Sequence, residues 1–154
     1  MSDWQPYLRT AFPQPTDEDR TRLERLAGAA LPDAYWRIVG LHQGEVLDTE
    51  LVLEGEGAIN FGVLLLALSP LAVERQSASY CVEYCFEGIQ DRYPPGLFPF
   101  ADDTGGNYWA FDFRTNLTDP AIVFIDHEMF GDEGVTPASE SFAAFMAWAG
   151  ALGF

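Results

Sequence analysis

Residues 97–113 read LFPFADDTGGNYWAFDF, and this stretch decides the fold. Phe98 and Phe100 flank Pro99, so the segment is extended and buries its rings on one side. Asp102 and Asp103 end the apolar run. Thr104-Gly105-Gly106-Asn107 then carries turn chemistry, because Gly and Asn accept positive φ at little cost. Beyond the turn, Tyr108, Ala110 and Asp112 fall on one face of a strand, and Trp109, Phe111 and Phe113 on the other. The stretch therefore reads as strand, polar turn, strand, with an aromatic core face.

Working outward from it, Tyr93-Pro94-Pro95-Gly96 closes a helix that opens at Ser69-Pro70, with Ser69 as N-cap and Pro70 in the first turn. Leu71, Val82, Cys85, Phe86 and Ile89 are its expected buried positions, although residues 74–79 are polar. Upstream, Ala58 to Leu68 is too apolar for a one-sided strand and reads as a central strand or a strand running into a loop. Glu54-Gly55-Glu56-Gly57 before it is a hairpin turn, and Leu51 and Leu53 belong to a strand beginning near Glu50. Thr16 caps a helix with Asp17, Glu18 and Asp19 in its first turn, and Leu23, Leu26, Ala27 and Ala30 form its apolar stripe. Leu31-Pro32-Asp33 starts a second helix, with Tyr35, Trp36, Val39 and Leu41 available for burial and an end near His42-Gln43-Gly44. The arm from Ser2 to Pro15 spaces Trp4, Tyr7, Leu8 and Phe12 as a short helical turn. Downstream, Ala121 to Ile125 is a short buried strand, Met129 to Pro137 a Gly-rich acidic loop, and Ser139 or Ser141 caps a last helix. That helix has Phe142, Phe145, Met146, Ala149 and Leu152 on one face. Helices, strands, helix, strands, helix is an α+β order rather than βαβ alternation.

A length of 154 residues and 48% hydrophobic content fit a single domain, 1–154, with a core of its own. The longest apolar run, Val63 to Leu68, is far short of the roughly 20 residues that span a bilayer. No basic region and apolar core follow Met1, so a cytoplasmic location is expected. Cys81 and Cys85 lie four apart, too few and too close for a disulfide framework, and read as buried thiols. Twenty-four acidic residues face eight basic ones, all arginine, for a net charge of −16. Such a surface repels nucleic acid and anionic membranes and steers basic proteins towards it.

Candidate chemistry is sparse. Asp102 and Asp103 before the Gly-Gly turn could hold a hard cation, but the spacing is not that of an EF-hand loop, and Asx-turn capping is the plainer role. Asp126-His127-Glu128 could do acid-base work or, with Asp102, ligate a metal; a lone His after a strand is more often a structural hydrogen-bonding group. The chain has no Gly-x-Ser-x-Gly, no phosphate loop and no dinucleotide fingerprint. No catalytic, metal or cofactor-binding residue is assigned.

The ordered set of motifs resembles the SMI1/KNR4 proteins, also called the SUKH superfamily. The pieces that carry the resemblance are Pro15-Thr16, the helix with Leu23-Glu24, Leu31-Pro32-Asp33-Ala34-Tyr35-Trp36, and Phe98 to Asn107 (FPFADDTGGN). Val123-Phe124-Ile125-Asp126-His127-Glu128 and Ser141-Phe142-x-x-Phe145 complete the set. His42-Gln43-Gly44 departs from the family's Asn-Gly at that turn. The resemblance implies an α+β fold with a mixed, largely antiparallel sheet flanked by helices. In bacteria it implies a non-enzymatic immunity protein that binds and neutralises a polymorphic toxin, often a nuclease. Fungal relatives imply an alternative, a scaffold or regulator linked to cell-wall synthesis. A metal-dependent hydrolase built on Asp102, Asp103 and His127 is a third. The acidic excess suits a basic toxin as partner, and Glu54, Glu56, Asp102, Asp132 and Glu133, in exposed loops, are the expected contact acids.

Overall fold

Residues 4–8 and 11–150 are described by a computed structural model, in which side-chain alternation and helix caps set most element boundaries. In chain order the elements are β1 (Trp4–Pro6), α1 (Asp17–Ala27), α2 (Asp33–His42), β2 (Glu45–Leu53), β3 (Gly57–Leu64), α3 (Val82–Ile89), β4 (Leu97–Asp102), β5 (Tyr108–Asp112), β6 (Ala121–Ile125), β7 (Val135–Ser139) and α4 (Phe142–Trp148). α1 starts where the sequence places it, through a capping box: Asp19 N donates to Thr16 Oγ1 and Thr16 N to Asp19 Oδ2, at 3.2 and 2.9 Å. Ser141 caps α4 by accepting from Ala144 N at 3.1 Å.

The seven strands form one sheet in the order β1 to β7, each antiparallel to its neighbours. The fold is α+β, and among the described residues strand pairing is wholly antiparallel, with one parallel contact, an isolated bridge between Leu66 and Cys81. β4 and β5 pair as the opening stretch requires, with Phe98 opposite Phe111 and Asp102 opposite Tyr108. Helices α1, α2 and α4 cover the aromatic face. Tyr35 of α2 meets Phe111 edge-on at 5.5 Å, and Phe145 of α4 lies 5.0 Å from Trp109 and 5.8 Å from Phe100. Trp109, Phe100 and Phe111 are fully buried, so this cluster supplies the main hydrophobic driving force. A smaller cluster on the other face packs Ile89 and Tyr93 against Leu97, Ala110, Val123 and Ile125.

Several expectations are corrected. Residues 4–6 are an edge strand rather than a helical turn; extended backbone lets Trp4 stack on His42 at 4.7 Å while pairing with Leu47. β2 begins at Glu45, not Glu50. The helix expected from Ser69 is two 3₁₀ turns, Pro70–Ala72 and Arg75–Tyr80, followed by α3. Residues 74–79 offer no apolar stripe to bury, and the turns let Leu66 bond to both Tyr80 O and Val82 N, at 2.8 and 2.9 Å. Leu71, expected inside, is 97% exposed, and Ala30 and Leu41 are also exposed. The acidic loop contains a 3₁₀ turn, Gly131–Gly134, and then β7, whose pairing with β6 gives the backbone its ladder partners. Gln43 supports its turn: Nε2 donates to Pro13 O at 2.8 Å and Oε1 accepts from Ala67 N at 2.9 Å. Leu152 lies outside the described residues.

Candidate functional site

The β4–β5 turn is built by its own carboxylates. Asp103 Oδ1 accepts from Gly105 N and Asn107 N at 2.8 and 3.0 Å, and Oδ2 accepts from Asn107 Nδ2 at 2.8 Å. Asp102 Oδ1 accepts from Thr104 N at 2.7 Å. These Asx-type bonds fix the loop that the sequence assigns to turn chemistry. Asn107 then ties the turn to the end of β6. Its Oδ1 accepts from His127 N at 2.8 Å and from His127 Nδ1 at 2.6 Å. Because an amide oxygen only accepts, Nδ1 is the nitrogen through which the imidazole donates to Asn107.

The β2–β3 hairpin bends across to the same end. Trp109 Nε1 donates to Asn60 O at 3.2 Å, and Thr136 Oγ1 of β7 donates to Glu56 Oε1 at 3.4 Å. The result is an open cleft of about 380 Å³ whose walls include Glu56, Asn60, Asp103, Asn107, Asp126, His127 and Glu128. Among the described residues that line it, none is an arginine. Four carboxylates around one cleft favour a cationic group, through long-range attraction and through acceptor-only oxygens.

The two adjacent aspartates diverge. Asp103 faces the cleft, whereas Asp102 pairs with Tyr108 and lies near Tyr80 and Cys85. Burial raises the Asp102 carboxyl above its ordinary range, the Thr104 N–H opposes this, and the Asp103 charge adds to it. Burial likewise pushes the Cys81 thiol up to about 11 and the Cys85 thiol up to about 12, so neither is a ready nucleophile. The Tyr80 hydroxyl is raised to about 12, first by its hydrogen bond with Tyr7 and then by burial. Asp102, Asp103 and His127 do not converge, and no group of three or more His, Cys, Asp or Glu side chains among the described residues could hold a metal ion.

Of the acids singled out from the sequence, Glu56 lines the cleft. Glu54 is exposed on the hairpin tip, and Asp132 and Glu133 are exposed on the 3₁₀ turn that follows the cleft. Asp132 also accepts from Arg114 at 3.3 Å while remaining 85% exposed. Asp102 is half-buried and turned away. Sequence reasoning misses Asn60 and undervalues Asn107, whose place in a turn motif hides its second role as the link to His127. It also passes over Met129 and Phe130, apolar side chains exposed in the loop after the cleft.

A family model, SMI1 / KNR4 family (SUKH-1), matches residues 14–148. No curated protein and no solved structure matches the chain. No helix among the described residues is long and apolar enough to cross a membrane.

Proposed function

Because this chain belongs to the SMI1/KNR4 family (SUKH-1), we propose that it is a non-enzymatic protein-binding domain, a bacterial immunity protein that binds and neutralises a cognate toxin. The observation that carries this reading is the cleft walled by Glu56, Asp103, Asp126 and Glu128. The Asp103, Asp126 and Glu56 carboxylates already accept hydrogen bonds from neighbouring groups, so less side-chain entropy is lost when a basic surface docks on them. With a net charge of −16, the domain attracts a basic partner from a distance, and a nuclease that binds nucleic acid through a basic cleft is the fitting class. Occlusion of that cleft by carboxylates would block substrate without any chemistry by this chain. Glu54, Asp132 and Glu133 extend the acidic surface beyond the cleft.

The test is co-expression with the protein encoded next to this chain. A complex that copurifies, and growth rescued from that protein's toxicity, are the expected results. Absence of both, with capture of envelope-synthesis proteins instead, would transfer the function to the scaffold reading.

A further inference from the structure

Phe130 is 67% exposed and Met129 37% exposed, side by side at the tip of the loop between β6 and β7. An exposed apolar pair rimmed by polar groups is a candidate contact surface. This tip is also held rigidly. Met129 N donates to Asp126 O at 3.1 Å, Glu128 N to Asp126 Oδ1 at 3.0 Å, and Gly131 N to Arg92 O at 2.8 Å. Tyr93 Oη donates to Asp126 O at 2.8 Å, and the Arg92 guanidinium donates to His127 O. The same guanidinium lies 4.9 Å from the Phe130 ring and 5.5 Å from Tyr93, so one side of the exposed ring is braced. A braced ring loses little freedom on binding, which is what distinguishes an interface anchor from an incidental surface residue.

Exposed carboxylates flank the tip along the chain: Glu128 before it, and Asp132 and Glu133 after it, with Asp132 also accepting from Arg114 at 3.3 Å. Glu128 also lines the acidic cleft, so tip and cleft form one continuous surface. An apolar centre with a charged rim is the anatomy of a binding patch. We propose that the Met129–Phe130 tip is the apolar anchor of the partner interface, seated in an apolar pocket of a basic protein while Glu128, Asp132 and Glu133 meet the cations around that pocket. This rests on the toxin-binding reading and adds where the energy of that binding lies. The charge of the rim argues against a second copy of the same chain, which would bring an equal negative surface to the contact.

The experiment is titration calorimetry of this protein against the purified product of the adjacent gene. The proteins compared are the wild type, Phe130→Ala, Phe130→Glu, and Leu71→Glu as an exposed apolar control elsewhere. Phe130→Ala should weaken binding about 30-fold and Phe130→Glu further, with unfolding midpoints unchanged and Leu71→Glu binding as wild type. Joint substitution of Glu128→Gln, Asp132→Asn and Glu133→Gln should slow association and flatten its salt dependence. Wild-type binding that Phe130→Glu leaves within about 3-fold overturns the anchor while the toxin reading stands. No binding by the wild type overturns both. A wild-type dimer that Phe130→Glu dissolves also overturns the anchor, because the tip then serves self-association.

Discussion

Replacing Gly62 by alanine would drive a methyl group into the backbone of the neighbouring strand. Gly62 has φ of +85°, and a Cβ built there lies 2.0 Å from Asp102 O and 2.7 Å from Asp103 Cα. Gly55 has the same φ of +85°, with nothing within 4 Å of its Cβ. The pair separates two costs. Left-handed backbone disfavours an L-residue by about 1–2 kcal/mol, and the smaller unfolded-state entropy of alanine offsets roughly 0.4–1 kcal/mol of that. Gly55→Ala should therefore lose about 1 kcal/mol. Gly62→Ala adds an overpacking cost of about 1–3 kcal/mol, at the upper end because a carbonyl cannot rotate away as a side chain can. A total near 3–4 kcal/mol is a large part of the roughly 5–15 kcal/mol typical of a domain. Urea unfolding followed by tryptophan fluorescence reads both variants; with a slope of about 1–3 kcal/mol/M, the Gly62→Ala midpoint should fall by more than about 1 M. Equal losses for the two variants would refute the close approach of β3 to β4 at the start of the Asp102–Asn107 turn.

Two carboxylates should shift the pH profile in opposite directions. Burial raises Asp102, so it supports folding while protonated, near pH 4 and below, and that support is lost as pH rises through its folded value. Asp102→Asn keeps an acceptor for Thr104 N and should be more stable than wild type at pH 7, with little difference near pH 3; thermal midpoints that fall at pH 7 would count against this. Burial also acts to raise Asp112, but the Arg114 side chain at 2.9 and 3.0 Å and the Arg114 N–H outweigh it and hold the carboxyl low. Its contribution is present at neutral pH and lost as pH falls through its depressed value, so Asp112→Asn should destabilise at pH 7 and matter little near pH 2. Asn107→Ala removes the links to Asp103 and His127 and should cost about 2 kcal/mol in chemical unfolding. The imidazole ¹⁵N shifts should then lose their Nδ1–H preference; an unchanged tautomer would show that Asn107 does not set it.

Alternation made β4 and β5 legible, because Trp109, Phe111 and Phe113 against Tyr108, Ala110 and Asp112 leave one way to face the core. The bonds of Asp103 were equally legible, since they stay within one turn, whereas the Asn107 link to His127, twenty residues on, was not. Trp4 was not: three residues carry no period, and its partners His42 and Phe61 lie far along the chain. Ser69-Pro70 gave a true cap signal, with Leu71 N donating to Ser69 Oγ at 3.2 Å, but the long-range Leu66–Cys81 bridge decided what followed it. The cleft was half legible for the same reason. Glu56 joins it only because the hairpin bends towards Thr136, a contact between residues eighty apart. Phe130 could not be assigned, since an apolar residue in a loop reads the same whether it folds inward or faces solvent.

The strand order has a consequence for how the chain assembles. From β2 to β7 each strand pairs with the next in sequence, and most of those pairings close short loops at small entropic cost. Such local pairing allows the β4–β5–β6 ladder around Trp109 to form early, with helices condensing onto it. β1 is the exception, reaching β2 only across α1 and α2. Among the described residues it is the shortest strand, it lies at the sheet edge, and its pairing with β2 waits for those helices to dock. Opening should therefore start there, and in hydrogen exchange the protection of backbone amides should rise along the sheet from Leu47 towards Trp109.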